Sequence, residues 1–178
     1  MKKALVGSGL AGLALAVGSA VPAMAADTAT TLTVTSAGLS ISVPGTANIG
    51  TGGPGTTISG QLGTVTVTDA RALLNASWNA SVISTDFTTG TASPAETIPN
   101  INVLYWSGPA TATAGPGTFT PGQPAAADAV IINVPRTAFS LTGGTGNNAA
   151  SWNPTLQVNV PNGTVGGIYT GTVTHSVF

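Results

Sequence analysis

From residue 31 onward, threonine or serine repeatedly alternates with valine, leucine or isoleucine, and glycine and proline break the runs. A period of two is the pattern of a half-buried β-strand, and the Gly/Pro breaks supply the turns. Almost nothing after the first residues has helical spacing. Thr31–Ser36 and Leu39–Val43 are expected to form a first hairpin around Ala37-Gly38, followed by a Gly/Pro/Thr loop from Pro44 to Gly60. Gly63–Asp69 alternates with Val65 and Val67 on one face, and Ser77–Ser84 places Trp78, Ala80 and Val82 together. In Ile101–Trp106, Ile101, Val103 and Tyr105 face one way and Leu104 and Trp106 the other. Ser107–Asp128 is the longest expected loop. Val130–Val134 is nearly all apolar, as a central strand buried on both faces would be. Leu156, Val158 and Val160 alternate with Gln157 and Asn159. The last expected strand, Ile168–Val177, puts Tyr169, Val173, His175 and Val177 on one face. The fold class implied is all-β: an antiparallel Ig-like β-sandwich of about eight to ten short strands.

The first residues are a different kind of segment. Lys2 and Lys3 precede the apolar stretch Ala4–Val21 and the small-x-small triplet Ala23-Met24-Ala25, which is the layout of a secretory signal peptide. A spanning helix needs about 20 firmly apolar residues; this stretch is shorter and diluted by Gly and Ser. Cleavage after Ala25 would leave residues 26–178 as a single domain with no integral membrane segment. A domain of that size buries roughly 70% of its unfolded surface.

Charge narrows the partners. Charged residues make up 5% of the chain, far below the usual ~25%. Beyond the leader, Arg71 and Arg136 stand against Asp27, Asp69, Asp86, Glu96 and Asp128. Two arginines make no basic patch, so nucleic acid and anionic lipid are poor partners. Threonine, serine, asparagine and glycine must supply the wet surface, a balance typical of exported, wall-associated β-proteins. There is no cysteine, so stability rests on the core and the strand ladders.

The tetrapeptide Ala-Ser-Trp-Asn occurs twice, at Ala76–Asn79 and Ala150–Asn153, and holds two of the three tryptophans. Trp78 and Trp152 are first of all core candidates, since a sandwich needs large apolar side chains; stacking on a saccharide is the sharper alternative. Trp106 ends a strand beside Tyr105. Neighbours on a strand point to opposite faces, so only one of this pair fits inside a single core and the other is exposed or covered by a loop. Packing under the Ser107–Asp128 loop is the plainer reading of Trp106, which is also the best candidate for a ligand-facing aromatic. His175, the sole histidine, reads as a residue at the core margin rather than a metal ligand. Asp69 and Arg71 would share a face and brace a corner through a charge-assisted hydrogen bond.

The order of these elements resembles the WxL domain of Gram-positive cell-surface proteins. Tyr169-Thr170-Gly171-Thr172-Val173-Thr174-His175-Ser176-Val177 is similar to the terminal Tyr-x-x-x-[Leu/Ile/Asn]-Thr-Trp-x-Leu strand of that family. His175 replaces Trp and Val177 replaces Leu. Val65–Arg71 before Trp78 is similar to its Val-x-Asp-x-Arg approach, and Gly166-Gly167-Ile168-Tyr169 to its Gly-x-Tyr. The chain departs from the family where Trp78-Asn79-Ala80 and Trp152-Asn153-Pro154 lack the leucine. The resemblance spans about residues 63–177. It implies non-covalent attachment to cell-wall peptidoglycan, with companion surface proteins as further partners. The candidate binding residues are Trp78, Trp106, Trp152, Tyr169 and His175.

Enzyme chemistry finds no footing. The acids are scattered, no Gly-x-Ser-x-Gly elbow occurs, and the Gly-rich stretches lack a phosphate-loop lysine. No cofactor is implied. Without a Leu-Pro-x-Thr-Gly signal or an apolar tail, retention at the surface is expected to be non-covalent. An outer-membrane barrel would need apolar residues at every second position back from Phe178, where Ser176, Thr174, Thr172 and Thr170 stand instead. The chain is expected to be a secreted, non-catalytic wall-binding or display protein. The alternative is a structural or adhesin-like subunit that binds a protein partner or polymerises by strand exchange, with Thr30–Val43 as donor.

Overall fold

Two long strands organise the molecule. In a computed structural model, which describes residues 28–178, β3 spans Val65–Ser84 and β10 spans Arg136–Trp152. They pair antiparallel from Val65↔Trp152 to Val82↔Arg136. The other strands are β1 (Leu39–Ser42), β2 (Thr57–Gln61), β4 (Phe87–Thr88), β5 (Thr97–Ile98), β6 (Val103–Trp106), β7 (Ala110–Ala114), β8 (Thr118–Pro121), β9 (Val130–Ile131), β11 (Thr155–Asn159) and β12 (Val173–Val177). Val34–Phe178 forms one unit, and the expected signal segment lies outside the described residues.

β1 and β12 both pair with one edge of β3, while β7 and β8 both pair with the outer edge of β10. Each long strand therefore serves two different neighbours in succession. Its buried positions change phase between them: Val65, Val67 and Asp69 are buried in the first half of β3, and Ala76, Trp78, Ala80 and Val82 in the second. A change from odd to even needs extra residues in the ladder. The structure supplies them at Ala72 and Asn75, with φ of 54° and 60°, and opposite them at Gly143 and Gly146.

These bulges fold the ribbon back on itself. Phe139 and Trp152, which a straight strand would hold about 43 Å apart, stack with ring centroids 4.9 Å apart. The Arg71 guanidinium reaches the Ser77 carbonyl at 2.8 Å, across a run that would span about 20 Å if straight. A separate four-stranded sheet, β2-β11-β6-β9, packs Val103, Tyr105, Leu156 and Val158 against Phe139, Leu141 and Trp152 of the ribbon. The result is an all-β, antiparallel sandwich.

Several expectations need correction. Thr31–Ser36 carries no strand, so there is no first hairpin; Leu39–Ser42 is a strand because β3 offers it a ladder. The expected loop before Gly60 contains the start of β2. Ser107–Asp128 contains β7 and β8, stabilised by the outer edge of β10. Gly63–Asp69 and Ser77–Ser84 are the two halves of one strand. Val130–Val134 is not a central strand. Its two-residue β9 lies at a sheet edge with Ile131 and Val134 exposed and only Ile132 fully buried. The last strand begins at Val173, leaving Tyr169 in the preceding loop. Gly171 lies flat against the Phe87 ring there, where an added Cβ would stand 2.7 Å from a ring carbon.

Candidate functional site

The three tryptophans divide into two roles. Trp78 is 3% exposed and Trp152 0%; both belong to the core. A buried indole N–H must find an acceptor, and the two find different ones. Trp78 Nε1 donates to Asn148 Oδ1 at 2.8 Å. Asn148 Nδ2 in turn lies 3.4 Å from Asp69 Oδ2. Asp69 is fully buried and accepts a bidentate pair from Arg71, Nε and Nη2 each at 2.8 Å, and the Arg71 backbone N–H at 3.1 Å. The Arg71 hydrogen bond holds the Asp69 carboxyl below its ordinary range, against the opposing effect of burial. This is the corner brace expected from the spacing of Asp69 and Arg71.

Trp152 Nε1 donates to the Tyr105 hydroxyl at 3.1 Å. That hydroxyl lies 3.2 Å from His175 Nε2. The hydroxyl and the imidazole share one hydrogen bond, donated by the O–H or by the ring N–H according to the tautomer of the neutral ring. Burial keeps His175 neutral, lowering its pKa to about 4, and also raises that of Tyr105. His175 therefore stands at the core margin, as its place on the last strand suggested. Tyr169 is half-buried, and its hydroxyl is 2.8 Å from the Val165 carbonyl. It pins the loop that leads into β12.

Trp106 is different. On β6, Val103 and Tyr105 have no exposure, so the alternation turns Leu104 and Trp106 to the outer face of the four-stranded sheet. Trp106 is half-buried there. Its strand partner is Thr155, and the partner of Thr155 on the far side is Gln61. Cross-strand partners share a face, so Trp106, Thr155 and Gln61 form one row. Leu104, Gln157 and Ser59 form the next, and Asn159 and Thr57 the third. The amides are held in place: Asn153 Nδ2 donates to Gln61 Oε1 at 2.9 Å, the Thr57 hydroxyl to Asn159 Oδ1 at 2.9 Å, and Gln157 Nε2 to Asn159 Oδ1 at 3.3 Å. The three rows carry one aromatic plane, amide and hydroxyl groups and the apolar Leu104, which Ile131 of β9 flanks, and no charged residue.

The structure thus separates Trp106 from the other four candidate residues. Trp152, Tyr105 and His175 are joined at the core margin, Trp78 is held apart from them by Asn148, and Tyr169 lies in a loop. Gln61, Thr155, Gln157 and Asn159 were not singled out by the sequence. Their alternation in β11 was visible, but which strands flank it was not. Among the described residues no three of His, Asp and Glu gather as a metal site, and no helix is long and apolar enough to cross a membrane. No protein-family model matches the chain, and no curated protein sequence matches it.

Proposed function

We propose that this chain is a secreted, non-catalytic surface protein that attaches to cell-wall peptidoglycan through the outer face of its four-stranded sheet. The observation that carries the reading is Trp106: of the three tryptophans it alone is neither within the core nor committed to a buried hydrogen bond. A sugar ring presents an apolar C–H face, which stacks on an indole, and a rim of hydroxyls, which exchange hydrogen bonds with amides and hydroxyls. Gln61, Thr155, Gln157 and Asn159 supply such groups beside the indole. Hydrogen bonds from Asn153 to Gln61, from Thr57 to Asn159 and from Gln157 to Asn159 fix the three amides before a ligand arrives, which lowers the entropy lost on binding. A face without charge suits a glycan strand better than a charged peptide. The resemblance of residues 63–177 to the WxL domain of Gram-positive surface proteins supports the same ligand, with companion surface proteins as further partners.

The test is sedimentation of the chain with purified peptidoglycan sacculi. Saturable pelleting is expected for the wild type. Trp106→Ala should lose at least ten-fold in affinity, about 1.4 kcal/mol, while melting within a few degrees of the wild type. A folded wild-type chain that stays in the supernatant would sink the proposal, and so would a Trp106→Ala chain that pellets unchanged.

A further inference from the structure

The edge of β12 away from β3, which β1 approaches without pairing, presents an unfinished strand ladder. β12 pairs only with β3. Asn79 and Phe178 exchange both backbone hydrogen bonds, and Thr85 N–H donates to the Thr172 carbonyl. Bonded pairs alternate along an antiparallel ladder. Thr172, Thr174 and Ser176 therefore face β3, and the N–H and C=O groups of Val173, His175 and Val177 point away from it. None of those six groups has a backbone partner in the described loops. Beside this edge lies a cavity of about 810 Å³ whose walls include Leu62, Phe87, Ile98, Val160, Val173 and His175. A strand added along β12 would pair with Val173 and His175 and share their face. It would place two apolar residues, two positions apart, toward that cavity.

The same chain contains a segment of that design. Thr31-Leu32-Thr33-Val34-Thr35 alternates, forms no strand, and leaves Leu32 84% and Val34 77% exposed. Two large exposed apolar side chains on a segment without a strand partner among the described residues, and an unpaired edge beside a cavity walled in part by apolar side chains, are complementary in period and backbone hydrogen bonding. We infer that residues Thr31–Thr35 of one copy add as an antiparallel or parallel strand to the free edge of β12 in a second copy, with Leu32 and Val34 turned into the cavity, so that the protein assembles head to tail. Thr31, Thr33 and Thr35 would then continue the hydroxyl face of Thr174 and Ser176. A head-to-tail contact that does not close on itself yields a chain of subunits. This assembly is independent of the wall-binding face, which lies on the other sheet.

The experiment is sedimentation velocity on the full chain, expressed with its leader and recovered as the cell processes it. The wild type should shift from monomer to a ladder of oligomers as concentration rises. Leu32→Asp/Val34→Asp changes only the donor and should stay monomeric with an unchanged melting curve. Val173→Pro removes an outward N–H and leaves the bonded positions of β12 intact; it should also stay monomeric. Mixing the two variants should restore one interface and give a one-to-one dimer. Monomeric wild type at every concentration would overturn the inference, as would oligomers that survive Leu32→Asp/Val34→Asp. Should Val173→Pro fail to fold, wild-type oligomers lost in the donor variant and competed away by a peptide of residues 28–37 would still support it. Failure of that peptide to compete would overturn it.

Discussion

Trp78 passes its indole proton to an amide that leads, through Asp69, to the Arg71 guanidinium. Trp152, in the second copy of the same tetrapeptide, passes its proton to a phenol that leads to an imidazole. The two indoles have the same local sequence and the same burial, yet one chain of partners ends in an ion pair and the other in a titratable neutral ring. The difference follows from position. Trp78 sits next to the fold in the β3–β10 ribbon, where the ladder is broken and Arg71 caps the loose Ser77 carbonyl. Trp152 sits where the ribbon meets the four-stranded sheet, and Tyr105 crosses to it from β6. The repeat thus marks two core anchors, and what each anchor does is set by the elements packed on it.

The comparison breaks hardest at Trp152. Trp152→Ala should cost about 3–5 kcal/mol in chemical denaturation, because it empties a fully buried site and removes one of the two partners of the Tyr105 hydroxyl. Asp69→Ala is the counterpart at the other anchor. It leaves Arg71 without its carboxylate at the fold of the ribbon and should cost about 3 kcal/mol, with melting as the readout. Acid separates the two networks. His175 stays neutral in the folded chain down to about pH 4 but takes a proton near 6.5 when unfolded. Between those values the unfolded state binds more protons, so stability is full above pH 6.5 and falls as pH drops toward 4, by up to about 3 kcal/mol. His175→Gln should flatten the part of that slope above about pH 5; below it the contribution of Glu96, whose carboxyl pKa is held at about 2 by Ser93 and Thr91, is also lost. The carboxyl of Asp69, whose pKa is lowered from 3.8, contributes stability that persists through this window and is lost only at lower pH. Denaturation midpoints measured across pH 3 to 8 would resolve the two stages. The smallest effect is expected for Trp78→Phe, which keeps most of the ring but removes the donor to Asn148, at about 1–2 kcal/mol.

Much of this was legible in the chain. Tyr105 and Trp106 had to part to opposite faces, and the structure buries Tyr105 and turns Trp106 outward. Asp69 and Arg71, two apart in a chain with few charges, pointed to a brace, and they form one. What stayed hidden depends on partners distant in sequence. Gly143 and Gly146 lie within β10, because a folded ribbon needs positive-φ positions opposite Ala72 and Asn75, a need that only the pairing of β3 with β10 reveals. Ala110–Ala114 lacks large apolar residues and becomes a strand only through the edge of β10. Thr31–Ser36 has the best local alternation of all and forms no strand, since alternation sets a face but a ladder needs a neighbour. The amide rows beside Trp106 arise from the order β2-β11-β6, which no local pattern encodes.

The three tryptophans divide into two core anchors and one surface residue, and their indole N–H resonances in a proton–nitrogen NMR spectrum report on each. Two, from Trp78 and Trp152, should exchange slowly with solvent and stay in place when soluble peptidoglycan fragments are added. The third, from Trp106, should exchange fast and shift with saturation. A Trp106 resonance that does not move while the fragments bind elsewhere, or a selective shift of Trp78 or Trp152, would contradict the assignment of the outer sheet face as the binding surface.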